Sequence, residues 1–323
     1  MNNFKKIGVT ALAGSLVAFT ANAGEMSVSG GASIGVEHTN GGAANGGKSW
    51  YMGNQLTFSG GGELDNGMNV SLSFVIDEFD NDTTTTSGPA NGSIFDGHSL
   101  SVGMDGLGTV TFHGEGGSAA VAAMDGSAAG DMWDNFQAAA DERKSGKGSD
   151  DMITYALPSF YDGLALNASY TPTGDGGAAS STSWSATYTG VEGLTLAYGT
   201  GEDNSTSIEA DATAWKVSYA YGPVTATITD LEYDHGTSTS DRNMESMGIS
   251  YTLTDEISLS YGTEEVTDGA DSSVAAEFSG FGVSYTAGGM TITAKSQEAK
   301  NISYTTAATE DRELWVVGAS FAF

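Results

Sequence analysis

The chain has 323 residues, with 46 Gly, 4 Pro and no Cys, and 11 Lys+Arg stand against 41 Asp+Glu. Without Cys there is no disulfide, no thiolate zinc site and no Cys nucleophile, and a formal charge of −30 excludes the basic surface that nucleic acid requires. Disorder is excluded as well, since 39% of residues are apolar and 10% aromatic.

Residues 1–23 read as an export leader. Lys5 and Lys6 form a positive start, Ile7 to Phe19 is an apolar run, and Ala21-Asn22-Ala23 is a cleavage signal. The run is too short to span a membrane as a helix. Residues 24–323 then form one domain. Cleavage removes both lysines and no acid, so this domain is more acidic than the whole chain. It contains no run of 18 apolar residues, hence no helical span.

From residue 26 onward, apolar residues recur with period two, the mark of strands with one apolar face. The first run carries Met26, Val28, Ala32, Ile34 and Val36. Next come Leu56 and Phe58; Val70 to Ile76; Leu100 to Met104; and Val110 and Phe112. Ile153 to Leu157, Leu164 to Tyr170, Trp184 to Tyr188 and Leu194 to Tyr198 continue the pattern. Trp215 to Tyr221, Val224 to Ile228, Met247 to Leu253 and Ile257 to Tyr261 follow. Phe281 to Tyr285, Met290 to Ala294 and Trp315 to Phe323 bring the total to sixteen. The alternate positions are mostly Ser, Thr, Gly, Ala and Asn.

Two features place the apolar face against lipid. Connections alternate between short turns, such as Asp65-Asn66-Gly67 and Gly222-Pro223, and long links at about 38–53, 79–96, 115–149, 172–182, 202–207, 234–243, 265–274 and 299–310. Aromatic residues also cluster at both ends of the apolar faces. Tyr155, Tyr188, Tyr221, Tyr251, Tyr285 and Phe323 lie near the short turns; Phe112, Tyr170, Tyr198 and Tyr261 lie near the long links. Two aromatic belts suit two membrane–water interfaces. The expected fold is all-β: a sixteen-stranded antiparallel transmembrane β-barrel, closed so that no strand edge meets lipid.

The last residues, Trp315-Val-Val-Gly-Ala-Ser-Phe-Ala-Phe323, alternate up to a terminal Phe. This resembles the C-terminal strand of outer-membrane barrels, in which the final Phe serves as an assembly signal. With sixteen strands and its longest link after the fifth, the chain from 24 to 323 resembles the general diffusion porins of Gram-negative bacteria, most of all the acidic α-proteobacterial kind. The resemblance implies a homotrimer in the outer membrane, in contact with lipid and lipopolysaccharide. It further implies passive passage of small hydrophilic solutes and a third long loop folded into the lumen as a constriction.

That loop is Glu115 to Ser149, with a short helix expected over Met132 to Arg143, capped by Asp131 and closed by Arg143 and Lys144. Its acids include Glu115, Asp125, Asp131, Asp134, Asp141 and Glu142. By strand phase, Lys216, Lys295, Arg312 and His113 point inward. The chain has three arginines, whereas the enterobacterial members of the family carry an arginine cluster on the wall facing an acidic loop, so the field across this pore is expected to be weaker. A negative lumen concentrates cations, and the expected preference is for cations. No cofactor is expected, apart from a structural Ca²⁺ on Asp125, Asp131 and Asp134, whose carboxylate oxygens suit a hard ion.

Other motifs lack their context. Gly42 to Ser49 fits a phosphate-binding loop, but a strand, not a helix, follows it. Gly31-Ala-Ser33-Ile-Gly35 fits a nucleophile elbow, but it lies within an alternating strand and makes Ser33 a lumen hydroxyl. His38, His98, His113 and His235 form no zinc-protease pair. An enzyme is therefore not expected. The alternatives are a substrate-specific channel, a barrel-based enzyme and a secreted soluble β-protein.

Overall fold

The computed structural model describes residues 26–41, 47–77, 96–124, 126–136, 150–173, 179–204, 209–236, 241–269, 274–306 and 311–323. The expected leader, 1–23, lies outside them. Sixteen strands form one closed barrel. In chain order they are β1 (Met26–Gly41), β2 (Gly47–Glu63), β3 (Asn69–Asp77), β4 (Gly97–Met104), β5 (Gly108–Glu115), β6 (Met152–Ala156), β7 (Leu164–Thr171) and β8 (Ser180–Val191). They continue as β9 (Leu194–Asn204), β10 (Ala210–Tyr221), β11 (Val224–His235), β12 (Arg242–Thr252), β13 (Ile257–Asp268), β14 (Ala276–Ala287), β15 (Met290–Lys300) and β16 (Arg312–Ala322).

Each strand pairs antiparallel with its neighbours in sequence, and β1 pairs with β16 to close the wall. The seam is fastened at the chain end. The N–H of Gly30 donates to the carbonyl of Phe323 at 2.8 Å, and the N–H of Phe323 donates back to Gly30 at 2.9 Å. The Phe323 ring points outward and fills the space beside Gly30.

The alternating residues divide as expected. Ile34, Leu56, Leu72, Ile228, Ile249 and Val317 face outward. So do the rings of Phe112, Tyr170, Trp184, Tyr198, Trp215 and Tyr261 near the long-loop end. Tyr219, Tyr221, Tyr251, Tyr285 and Phe321 lie toward the short-turn end. Each sizeable aliphatic or aromatic side chain moved from water into hydrocarbon is worth about 1.5–3 kcal/mol, so this exposed apolar wall calls for lipid around it.

The strands are longer than their apolar runs. The expected link at 38–53 shrinks, because β1 continues to Gly41 and β2 begins at Gly47. Gly47, Lys48 and Ser49 are therefore strand residues. Likewise β11 reaches His235 and β12 starts at Arg242, inside the expected link 234–243. The cause is a change of surroundings along the strand. Beyond the lipid the outer face meets water, so apolar alternation stops while hydrogen-bonded pairing goes on.

Candidate constriction site inside the barrel

The segment after β5 enters the barrel. Its described residues contain two 3-10 turns, Ala122–Met124 and Met132–Phe136. Val121, Met132 and Phe136 are almost fully buried, packed with Ala214, Leu231, Met244, Val266, Phe278 and Leu314 from the inner faces of β10 to β16. A second segment, after β15, also turns inward and buries Ile302 and Tyr304. One side of the lumen is thus a hydrophobic core.

The sequence carries a signal for this core, and period-two reading alone missed it. On β11 the apolar residues Val224, Ala226 and Ile228 face out, but farther along Leu231 and Tyr233 face in. The phase flips in the same way from Ile249 and Met247 to Met244 on β12. It flips from Leu259 and Tyr261 to Val266 on β13, from Phe281 to Phe278 on β14, and from Trp315 to Leu314 on β16. Below the flip the outer face meets lipid; above it the inner face meets the loop.

Beyond the flip the outward positions turn acidic. Asp230 pairs with Glu245, Glu245 with Glu265, and Glu265 with Glu277, so four carboxylates lie side by side on adjacent strands. Glu277 pairs next with Lys300. Glu298 and Glu313 pair with each other on β15 and β16. Charge on the lipid face is destabilising at mid-membrane and costs little near the interface, which puts this collar at the membrane edge. Much of the acidity on this side therefore stands outside the lumen.

Polar groups of the wall hold the loop by its backbone. Ser169, Ser183 and Ser246 accept the N–H groups of Ala120, Val121 and Ala129 at 3.1, 3.2 and 3.0 Å. Glu264, on the inner face of β13, accepts the Trp133 N–H at 3.1 Å and the Ser127 hydroxyl. Lys216 donates to the Gly126 carbonyl at 3.0 Å, and Arg312 donates to the Phe136 carbonyl at 2.8 Å. A buried backbone group needs such a partner, and here side chains replace the sheet ladder.

Glycines make room for the approach. A Cβ on Gly248 would overlap the Ala128 carbonyl oxygen. One on Gly262 would lie 2.5 Å from Ala129 Cβ, and one on Gly280 2.6 Å from Met132 Sδ. Below the loop tip these glycines leave a recess of about 210 Å³.

The residues singled out from the sequence fall into distinct places. Lys216, Lys295 and Arg312 do point inward, but Lys216 and Arg312 grip the loop. A fourth inward cation, Arg242, lies within the expected link 234–243. It pairs with Asp268 at 2.6 Å, and its guanidinium sits 5.2 Å from the Tyr304 ring centre. His113 faces inward and bonds Thr154 Oγ1 at 3.1 Å. Glu115 ends β5 at the root of the loop. Asp134 is exposed on the loop side turned from the wall.

Asp131 does not cap the second turn with its side chain. It adopts φ 52°, in the left-handed region that Asp tolerates, and turns its carboxylate back to the Ser127 N–H at 2.9 Å. The carboxylate at that turn's N-terminus is Glu264, from across the lumen. The rest of the expected helix, with Arg143 and Lys144, lies outside the described residues, as does Asp125. Among the described residues no three His, Asp or Glu side chains converge as metal ligands, and the Ca²⁺ set expected on Asp125, Asp131 and Asp134 extends beyond those residues.

The opposite wall is polar. Tyr51 lies inside, its ring over the space that Cβ atoms of Gly35 and Gly318 would occupy. Ser49 Oγ donates to Glu37 at 2.7 Å beside it. Ser33 points inward, as expected.

A family model described as Gram-negative porin matches residues 8–277. An engineered variant of the Rhodobacter blasticus porin superimposes with a TM-score of 0.67 at 14% identity, covering 93% of this chain and 100% of that one. An anion-selective porin of Comamonas acidovorans gives 0.65 at 14% identity, with 93% and 99% covered. OmpT, an outer membrane protein of Vibrio cholerae, gives 0.63 at 13% identity, with 94% and 99% covered. At such identities these structures share the fold. No curated protein matches the sequence.

Proposed function

The chain belongs to the Gram-negative porin family and is an outer-membrane channel, and from that premise we propose that it is a homotrimeric, non-enzymatic diffusion pore with a modest preference for cations. The observation that supports this reading best is the clamped loop. It packs against one side of the lumen, while the opposite wall, β1 to β5, turns polar side chains such as Ser33, Glu37, Ser49, Ser101 and Thr111 to the interior.

The charge balance favours cations weakly. Among the described residues, Glu37, Asp77, Asp131, Asp134 and Asp203 stand on the inner wall or the loop. Against them are Lys216, Lys295 and Arg312, while Arg242 is neutralised by Asp268. The Comamonas neighbour is described as anion-selective; selectivity follows the lining charges of each pore, not the fold. The outer collar adds negative potential at the mouth, where salt screens it over about 8–10 Å.

The test is reconstitution of the detergent-extracted protein in a planar bilayer with a KCl gradient. The proposal expects current steps in groups of three and a reversal potential on the cation side. A reversal potential at zero or on the anion side would sink the selectivity; single steps would sink the trimer.

A further inference from the structure

We propose that the recess under the loop tip is a binding site for a small hydroxylated carboxylate, a sugar acid, with Lys295 as its anchor. The proposal rests on the porin reading, since its ligand arrives through the pore. The recess lies between Ala128–Gly130 of the loop and the inner faces of β11 to β15, toward the short-turn end.

Its chemistry differs from that of the rest of the molecule. Among the described residues that line it, Lys295 is the only charged side chain and no carboxylate is present. In a chain of net charge −30, an ammonium set apart from acids is a local anion site. Lys295 pairs with Gly282 on β14, whose missing side chain leaves the ammonium stem accessible. Ser260 Oγ hangs over that gap, 2.6 Å from where a Gly282 Cβ would be. Thr227 and Ser250 contribute further hydroxyls. Gln297, only 6% exposed, also lines the recess, and its Oε1 has no hydrogen-bond partner. A buried amide oxygen without a partner is costly.

These groups define the ligand class. One ammonium matches one carboxylate. A doubly charged phosphate group would leave part of its charge without a partner beside a single ammonium. Several hydroxyls and an amide suit a chain of ligand hydroxyls, each able to donate and accept. The recess of about 210 Å³ admits a molecule of sugar size.

The test is block of current through the reconstituted native trimer by sodium gluconate, with glucose and acetate as controls. Gluconate is expected to reduce the current saturably, at lower concentration than either control. Lys295→Met should weaken that block by about tenfold or more, the cost of losing a charge-assisted hydrogen bond. Ser250→Ala/Ser260→Ala should narrow the margin of gluconate over acetate. Lys300→Met, on the outer face, should leave the block unchanged. Equal block by gluconate and glucose, or an unaltered gluconate curve in a folded, conducting Lys295→Met trimer, would overturn the site. Absence of any conductance in the native protein would overturn the channel reading instead.

Discussion

Glu264 and Glu265 are consecutive residues of β13 that serve opposite sides of the wall. Glu264 points inward, is 2% exposed, and fastens the constriction loop through Ser127 and Trp133. Glu265 points outward, in register between Glu245 and Glu277 in the acidic collar. Strand alternation alone assigns one carboxylate to the pore and the next to the membrane edge.

Replacing Glu264 releases the loop. Glu264→Ala leaves the Trp133 N–H and the Ser127 hydroxyl without their acceptor, at about 1–3 kcal/mol for each buried group. The strand ladders are untouched, so the barrel still folds and migrates as a heat-modifiable band. Single-channel traces of the variant should be noisier, with an altered mean conductance. Glu264→Gln keeps one acceptor oxygen and should lie between the variant and the native protein. Quiet, native-like traces for Glu264→Ala would show that the clamp is dispensable.

Gly248 tests the fit from the wall side. Its Cβ would overlap the Ala128 carbonyl oxygen, which belongs to backbone and has no rotamer to swing away. Gly248→Ala must therefore push the loop tip toward the lumen axis, with an overpacking cost of about 1–3 kcal/mol. Conductance should fall. Gly67→Ala, in a short turn with open space around its Cβ, serves as the control; there the positive φ costs stability but leaves conductance native.

The collar makes a prediction about salt. Like charges directly opposite on neighbouring strands repel, and that repulsion is screened by added ions. Heat stability of the native barrel should rise between low and high NaCl. The quadruple change Asp230→Asn/Glu245→Gln/Glu265→Gln/Glu277→Gln should flatten that rise. The reversal potential should shift little, since these groups face away from the lumen. A large loss of cation preference in the quadruple variant would mean that the collar, not the lumen, sets selectivity.

All sixteen strands could be read from the sequence, because lipid imposes an unbroken apolar face and closure imposes an even count. The links were legible only roughly. Gly47 to Ser49 and Arg242 pair as strand but carry no apolar alternation, since water lies on their outer side. Within the site, the inward phase of Lys216, Lys295 and Arg312 was readable from position alone. Their partners were not. The Gly126 and Phe136 carbonyls are backbone groups of a distant loop, and no residue type announces them. Glu264 was hidden in another way: in sequence it is one acid of a Glu-Glu pair. The overlooked signal was the phase flip, in which Leu231, Met244, Val266 and Phe278 turn apolar on the lumen side. It would have located both the loop core and the upper membrane edge.

The loop tip inside the barrel is the feature on which the pore reading depends, and a chain with no native Cys allows a direct measurement. Ala129 Cβ lies 2.5 Å from where a Gly262 Cβ would be, so a shift of about 1 Å brings an Ala129→Cys/Gly262→Cys pair into the 3.5–4.5 Å range that a disulfide spans. Mass spectrometry of the folded, unreduced protein after thiol alkylation reads the bond. The account predicts a nearly complete disulfide with no alkylation at either position. Two alkylated thiols in a folded barrel would show that the loop tip does not rest on β13, and would contradict the account.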